Sequence, residues 1–349
     1  MNIASKSTRY TKQICYIYLK FPQNPNFKHT SVTFFSSYKN RFHKSNTSSS
    51  KQTLNQSQFH QTISQLLPRF TPEDLHNLIN QQQNPLLCLQ LFNWASEQPR
   101  YKHDVSTFHI TIKKLGRKLS KAVNVYKHMR SLKDLDCRPS IRTYNLLLAA
   151  FLSRRSNTYI NYMYMDTMRM LFKQMVDDGI EPDIFALNCM IKGYVISLHV
   201  NDALRLYHQM GVVYDCRPNS FTFDYLIHGL CSQGRTCNAR KICDEMKGKG
   251  FVPSSKSYNS LVSSLVIEGE VEEGVRYLWE MVDNNRSGDY IMYRTLVDEL
   301  CKLQRSKDAV SLLKKLLEKR VVDRDMYTEL LRELQVNHGN LYDRNGTSR

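Results

Sequence analysis

Residues 220–254 read SFTFDYLIHGLCSQGRTCNARKICDEMKGKGFVPS, and residues 255–289 read SKSYNSLVSSLVIEGEVEEGVRYLWEMVDNNRSGD. Overlaid, the two stretches put Phe223 on Tyr258, Ala239 on Gly274 and Met246 on Met281. The register continues outward in both directions. Met129, Met175, Met210, Met246 and Met281 follow one another at steps of 46, 35, 36 and 35 residues. The dipeptides Tyr144-Asn145, Leu187-Asn188, Phe223-Asp224, Tyr258-Asn259, Tyr293-Arg294 and Tyr327-Thr328 keep the same pace, as do Pro139, Pro182, Pro218 and Pro253. Three unrelated residue types sharing one period mark an internal repeat of about 35 residues. The single long step comes from about eight extra residues within Arg154–Met165, which the pattern places at the turn between two helices.

Each unit reads as a helix pair. Phe223, Leu226, Ile227, Leu230 and Cys231 recur at i, i+3, i+4, i+7 and i+8, one face of an α-helix, and Gly234 ends it. Ala239, Ile242, Cys243 and Met246 repeat that spacing; Lys249-Gly250 stops the second helix and Pro253 prevents its continuation. Ala203, Ala239, Gly274 and Ala309 fall where the paired helices should cross, a place with room for little side chain. A hairpin this short cannot bury its own apolar face, so neighbours must cover it. The expected fold class is all-α, a right-handed superhelical solenoid of helix-turn-helix repeats. A single globular bundle would leave the three coincident registers without a cause.

The net charge is +17, and ten of the cations lie in residues 1–72, which contain no Asp or Glu. An acid-free leader rich in Ser, Thr, Asn and Gln has the composition of an organelle transit peptide, with mitochondrion preferred over chloroplast and Phe34-Phe35-Ser36-Ser37 as the cleavage region. The competing expectation is a disordered basic arm that stays on the protein and touches RNA. The longest uncharged apolar stretch, Tyr144 to Ser153, is far below the ~20 residues of a membrane-spanning helix. Nine cysteines form no C-x-x-C pair and sit mostly among apolar helical residues, which reads as buried thiols rather than disulfides or zinc ligands.

Arg142-Thr143-Tyr144-Asn145-Leu146-Leu147-Leu148, Gln174-Met175-Val176-Asp177-Asp178-Gly179-Ile180-Glu181-Pro182-Asp183 and Ser257-Tyr258-Asn259-Ser260-Leu261-Val262 resemble the pentatricopeptide repeat (PPR) pattern of plant organelle proteins, P-type. The resemblance divides the chain into a leader (1–68), a degenerate capping unit (69–104), an array (105–336) and a disordered tail (337–349). The array comprises 105–140, 141–183, 184–219, 220–254, 255–289, 290–323 and a partial repeat, 324–336. Tetratricopeptide repeats, of similar length, open on a Trp…Leu-Gly…Tyr pattern that these units lack.

The resemblance implies that each repeat reads one RNA base with the fifth residue of its frame and its last residue. Those pairs are His109 with Ser140, Asn145 with Asp183, Asn188 with Asn219, Asp224 with Ser254, Asn259 with Asp289, and Arg294 with Asp323. Asn–Asp implies uracil and Asn–Asn cytosine or uracil, because a carboxylate accepts from uracil N3–H while an amide donates to cytosine N3. The second residues, Arg142, Phe185, Phe221, Lys256 and Ile291, are expected to pack between bases. The footprint is then U, C or U, one unread base, and U, from 5′ to 3′. His109, Asp224 and Arg294 depart from the usual pairings. For every Asn or Asp named, a helix cap is the competing role.

Six repeats distinguish at most about 4,000 sequences, so the expected partners are pyrimidine-biased single-stranded RNA with a second protein factor, or ribosomal RNA. No phosphate loop, nucleophile elbow or H-x-E…P-C-x-x-C deaminase pattern occurs. The chain is therefore expected to be a non-enzymatic adaptor in RNA processing, stability, splicing or translation, with no cofactor, no metal, no membrane and no small-molecule substrate. The alternative is a protein-binding structural component of an organelle ribonucleoprotein such as the ribosome.

Overall fold

The structure, a computed structural model, describes residues 56–66, 69–116, 118–132, 134–153 and 158–338. The leader with its cleavage region, Cys15 and the tail from 339 onward lie outside these residues. Within them the chain forms helices and no strand. They are α1 (Gln56–Ile63), α2 (Pro72–Gln81), α3 (Pro85–Ser96), α4 (Val105–Leu115), α5 (Leu119–Ser131), α6 (Ile141–Leu152), α7 (Thr158–Asp177) and α8 (Ile184–Ile196). After these come α9 (Val200–Val213), α10 (Ser220–Cys231), α11 (Thr236–Gly248), α12 (Ser255–Ile267), α13 (Val271–Asp283), α14 (Tyr290–Lys302), α15 (Ser306–Glu318) and α16 (Arg324–His338). A short 3₁₀ turn, Leu135–Cys137, precedes α6. This is an all-α helical-repeat solenoid. It falls into two compact units, Met1–Arg154 with Phe172–Glu181, and Arg155–Leu171 with Pro182–Arg349.

Local signals set the helix ends. Asp104, Asp183, Asn219, Ser254 and Asp289 each accept a backbone N–H from the first turn of the helix they precede, which satisfies one of that helix's orphan donors. At the end of α10, Gly234 adopts φ +64°, and the N–H of Arg235 returns to the carbonyl of Leu230 at 3.0 Å. This left-handed closure turns the chain into α11.

In the second unit the hairpins α8/α9, α10/α11, α12/α13 and α14/α15 stack in sequence, and the core runs between their two helix layers. Leu187, Phe223, Tyr258 and Tyr293, fourth in each frame, are 0–1% exposed, as are Met210, Met246 and Met281 on the second helices. Ala203, Ala239 and Ala309 are fully buried at the crossings. At Gly274 an added Cβ would sit 2.5 Å from Val266 Cγ2, so the missing side chain makes room for that valine. Cross-repeat ion pairs join successive second helices: Arg169 to Asp202 at 3.4 Å, Arg240 to Glu270 at 2.9 Å, Lys247 to Glu280 at 3.0 Å. Partly exposed, each is worth at most about 1 kcal/mol; burial between repeats carries the stability.

In the first unit α2 and α3 pack on α4, and α4 and α5 pair. Its centre is Leu75, Ile79, Leu91, Phe108 and Ile112, all fully buried.

One expectation is corrected. The extra residues within Arg154–Met165 do not simply widen a turn: from Thr158 onward they lengthen α7 to 20 residues, against 13 or 14 for α9, α11, α13 and α15. No Gly or Pro interrupts residues 155–178, and Met165, Met168, Leu171 and Phe172 keep helical spacing on a buried face. A continuous helix is the result.

Candidate nucleic-acid interface

The first helix of each repeat brings the three frame positions to one end. The last residue of the preceding repeat is its N-cap, the second residue lies in its first turn, and the fifth lies three residues on, on the same face. In the second unit the second positions are Phe185, Phe221, Lys256 and Ile291, at steps of 36, 35 and 35. All four are exposed: Phe185 by 48%, Phe221 by 61% and Ile291 by 71%. Arg142 stands exposed at the same place in the first unit. Large apolar side chains left in water at every turn of a repeat are an unsatisfied surface.

The last residues all cap. Asp183 accepts from the N–H of Ala186 at 2.8 Å, Asn219 from Thr222 at 3.2 Å, Ser254 from Ser257 at 3.3 Å, Asp289 from Met292 at 2.9 Å and Asp323 from Met326 at 2.8 Å. Ser140 forms a capping box with Thr143. The competing role named from sequence is thus present at every junction, beside whatever else these side chains do.

The fifth residues differ from one another. Asn188 is 9% exposed; its Nδ2 donates to Asn219 Oδ1 at 3.0 Å, and its Oδ1 accepts from Thr222 Oγ1 at 2.7 Å. Asp224 Oδ1 accepts from the N–H of Ser254 at 3.1 Å and from Ser257 Oγ at 2.5 Å. These two pairs are joined directly. No hydrogen bond joins Asn259 to Asp289, and Asn259 Oδ1 is screened from water without a partner. Arg294 is engaged by Glu333 of α16 at 3.1 Å and Asp298 at 3.7 Å. Asn145 belongs to the first unit and Asp183 to the second.

His109 is 6% exposed and hydrogen-bonded through Nε2 to Thr143 Oγ1 at 2.8 Å. Burial, reinforced by the nearby Arg142 cation, pushes its pKa down to about 4, so the ring is neutral at physiological pH. It is a packed residue at a fifth position.

In the second unit most ion pairs involve cations of the second helices, although Arg294 and Lys302 on the first helix α14 are paired as well. Arg169, Arg240, Lys247, Arg276 and Arg305 on the second helices or the turns leading into them are paired with carboxylates. Lys192 and Lys256 on the first helices carry no ion pair; Lys192 lies 5.7 Å from the Tyr225 ring centroid. Lys256 helps burial hold the His228 pKa below its usual value. The layer bearing the exposed Phe side chains therefore also presents uncompensated cations, a combination suited to bases and phosphates. Among the described residues no group of three or more His, Cys, Asp and Glu gathers to hold a metal. No described helix is long and apolar enough to cross a membrane.

Spacing alone did not reveal the hydroxyls of Thr143, Thr222 and Ser257, each in contact with a fifth residue one repeat earlier. The only trace in sequence is a Thr or Ser two positions before the next fifth residue.

Residues 182–232 and 218–267 match the PPR repeat family, and residues 256–286 and 291–321 match the PPR repeat. A mitochondrial pentatricopeptide repeat-containing protein of Arabidopsis thaliana is 55% identical, the match covering 59% of this chain and 55% of that protein. A second mitochondrial one from the same plant is 31% identical over 45% of this chain and 51% of its own length. The chain thus spans about half the length of the curated relatives it matches. The maize pentatricopeptide repeat protein PPR10 superposes with a TM-score of 0.42 at 15% identity, covering 80% of this chain and 47% of that one. From the repeat period, the capped helix pairs and these matches together, residues 182–286 and 291–321 carry pentatricopeptide repeats.

Proposed function

We propose that this protein is a single-stranded RNA-binding adaptor of mitochondria, acting without catalysis of its own. The observation that carries the reading is the row Phe185, Phe221, Lys256 and Ile291, exposed once per repeat and three residues from the fifth positions, Asn188, Asp224, Asn259 and Arg294. Exposed planar or apolar groups at that interval give successive bases a surface to stack on. The neighbouring polar tips meet the base edges. Base preference then comes from Asn188 with Asn219 and Asn259 with Asp289, with a pyrimidine bias. The mitochondrial relatives and the basic, acid-free leader support the compartment. A net charge of +7 from Glu73 onward is modest for such a ligand, which fits a short contact and a second protein factor or a preselected RNA such as ribosomal RNA.

The test is selection from a randomised single-stranded RNA pool by the purified full chain. Enrichment of uracil at the base facing Asn259, lost in Asn259→Ala, is the expected result. No enrichment, or equal retention of a duplex pool, would overturn the reading.

A further inference from the structure

At three junctions the fifth residue of one repeat meets the third residue of the next. The third positions are Thr143, Ala186, Thr222, Ser257 and Met292. Where that residue bears a hydroxyl, it is hydrogen-bonded to the fifth residue of the repeat before: Thr143 to His109, Thr222 to Asn188, Ser257 to Asp224, across 34, 34 and 33 residues. Where it is Met292, the facing amide oxygen of Asn259 has no partner. Resting on the RNA-reading proposal above, we infer that the third residue of each repeat is a positioning residue that sets which atom its neighbour's base reader presents.

The chemistry is clearest at Asn188. Thr222 Oγ1 donates into the amide oxygen and Asn219 Oδ1 takes one amide hydrogen, so both ends of the side chain are assigned. One N–H remains to meet a base, which suits the acceptor N3 of cytosine and opposes the N3–H of uracil. At Asp224 the Oδ1 atom is taken by Ser257 Oγ and the N–H of Ser254, leaving the other oxygen as an acceptor. At Asn259 no hydroxyl fixes the amide, which can offer oxygen or nitrogen. Thr143 and Thr222 are fully buried and Ser257 is 1% exposed. So buried, the hydroxyls are out of reach of a bound base, and any influence on base choice passes through the reader.

The experiment compares the full chain with Thr222→Val, Thr222→Ser and Ser257→Ala. Binding is read by fluorescence polarisation against RNA oligonucleotides varied one base at a time. Thr222→Val is expected to lower the cytosine-over-uracil ratio at the base facing Asn188 about five-fold, the scale of one net hydrogen bond. Ratios at the other positions stay put, and Thr222→Ser restores the lost one. Thr222 also serves the cap of α10, since its Oγ1 lies 3.2 Å from the N–H of Asn219. Ser257→Ala, a smaller change, gives an independent arm: with Asp224 Oδ1 released from the hydroxyl, the relative affinities for the four bases at that position should shift by a similar factor. An unchanged or raised cytosine-over-uracil ratio in Thr222→Val, or unshifted relative affinities at Asp224 in Ser257→Ala, with wild-type preferences present elsewhere, would overturn the inference alone. A wild-type chain with no base preference anywhere would overturn the RNA reading and this proposal with it.

Discussion

Lowering the pH from 7.5 to 5.0 should weaken the first unit most, since it holds two strongly shifted histidines, His103 and His109, and the second unit holds His228. His103 is 9% exposed, and its ring stacks on Phe92 at 3.8 Å between centroids. Its Nε2 lies 3.0 Å from the carbonyl oxygen of Phe92 and 2.7 Å from Ser96 Oγ, and its Nδ1 lies 3.3 Å from Thr107 Oγ1. Burial pushes its pKa down to about 4; the Phe92 carbonyl and Asp104 resist this and His128 adds to it. His109 also sits near 4, through burial and Arg142, against Asp104. Both folded values lie below the unfolded value of about 6.5, so between those limits the unfolded chain binds protons that the folded unit refuses. The stability is fully present above 6.5 and is lost as pH falls toward 4. The slope is at most about 1.4 kcal/mol per pH unit per ring, or roughly 2 kcal/mol each at pH 5. About 4 kcal/mol together is a large share of a domain's usual 5–15 kcal/mol. Carboxylates held low by partners, such as Glu245, Glu272 and Glu273, act only below about 4.5 and do not interfere at pH 5. Urea unfolding followed by circular dichroism at pH 7.5 and 5.0 measures the loss; His103→Gln with His109→Gln should flatten it. A wild-type midpoint unchanged between the two pH values, or an undiminished pH effect in the double variant, would refute the reasoning.

Phe221→Ala, at a side chain 61% exposed, should leave the melting temperature within a degree or two while RNA affinity falls by about 1–3 kcal/mol in fluorescence polarisation. Gly274→Ala should destabilise by about 1 kcal/mol, because Val266 is stiff at χ1 and must yield to the new Cβ. Gly211→Ala in α9, where nothing lies within 4 Å, should instead stabilise by about 0.5–1 kcal/mol; urea midpoints check both signs. Asp289→Asn should keep the cap of α14 and its stability while shifting preference from uracil toward cytosine at the base facing Asn259. Asp289→Ala should cost about 1 kcal/mol as well as the preference.

The repeat was legible because its marks are local. Met210, Met246 and Met281 fill the same buried slot in successive hairpins, and Gly234 turns where a helix must end. Cap residues were visible as types, and the structure puts them at the helix starts. The course of residues 158–165 was not read correctly: repeat alignment locates an insertion but says nothing of its conformation, which the absence of Gly and Pro decides. His109 was hidden for another reason. Helical period assigns a residue to a face, yet positions at the margin of that face are buried or exposed according to the neighbour's side chain, here Thr143 one repeat away. The unlike surroundings of Asn188 and Asn259 have the same origin.

On the proposed RNA reading, the last residue of each repeat answers to two demands at once, and their overlap would explain how recognition can vary on a constant scaffold. As an N-cap it must carry a short side-chain acceptor; Ser, Asp and Asn serve almost equally well, whereas an apolar residue costs about 1 kcal/mol. Ser140, Asp183, Asn219, Ser254, Asp289 and Asp323 stay within that set. Its members differ sharply in what else they offer a ligand: a hydroxyl, a carboxylate that only accepts, an amide that also donates. Exchanges inside the set are therefore nearly neutral for folding and far from neutral for a base edge. The fifth residue has no such buffer. Asn188 and Asp224 are bound into the cap and the third-position hydroxyl of the next repeat, so changing either disturbs packing and presentation together. Changes in base preference should consequently be tolerated most readily at the caps, with the fifth and third positions altered as a linked pair.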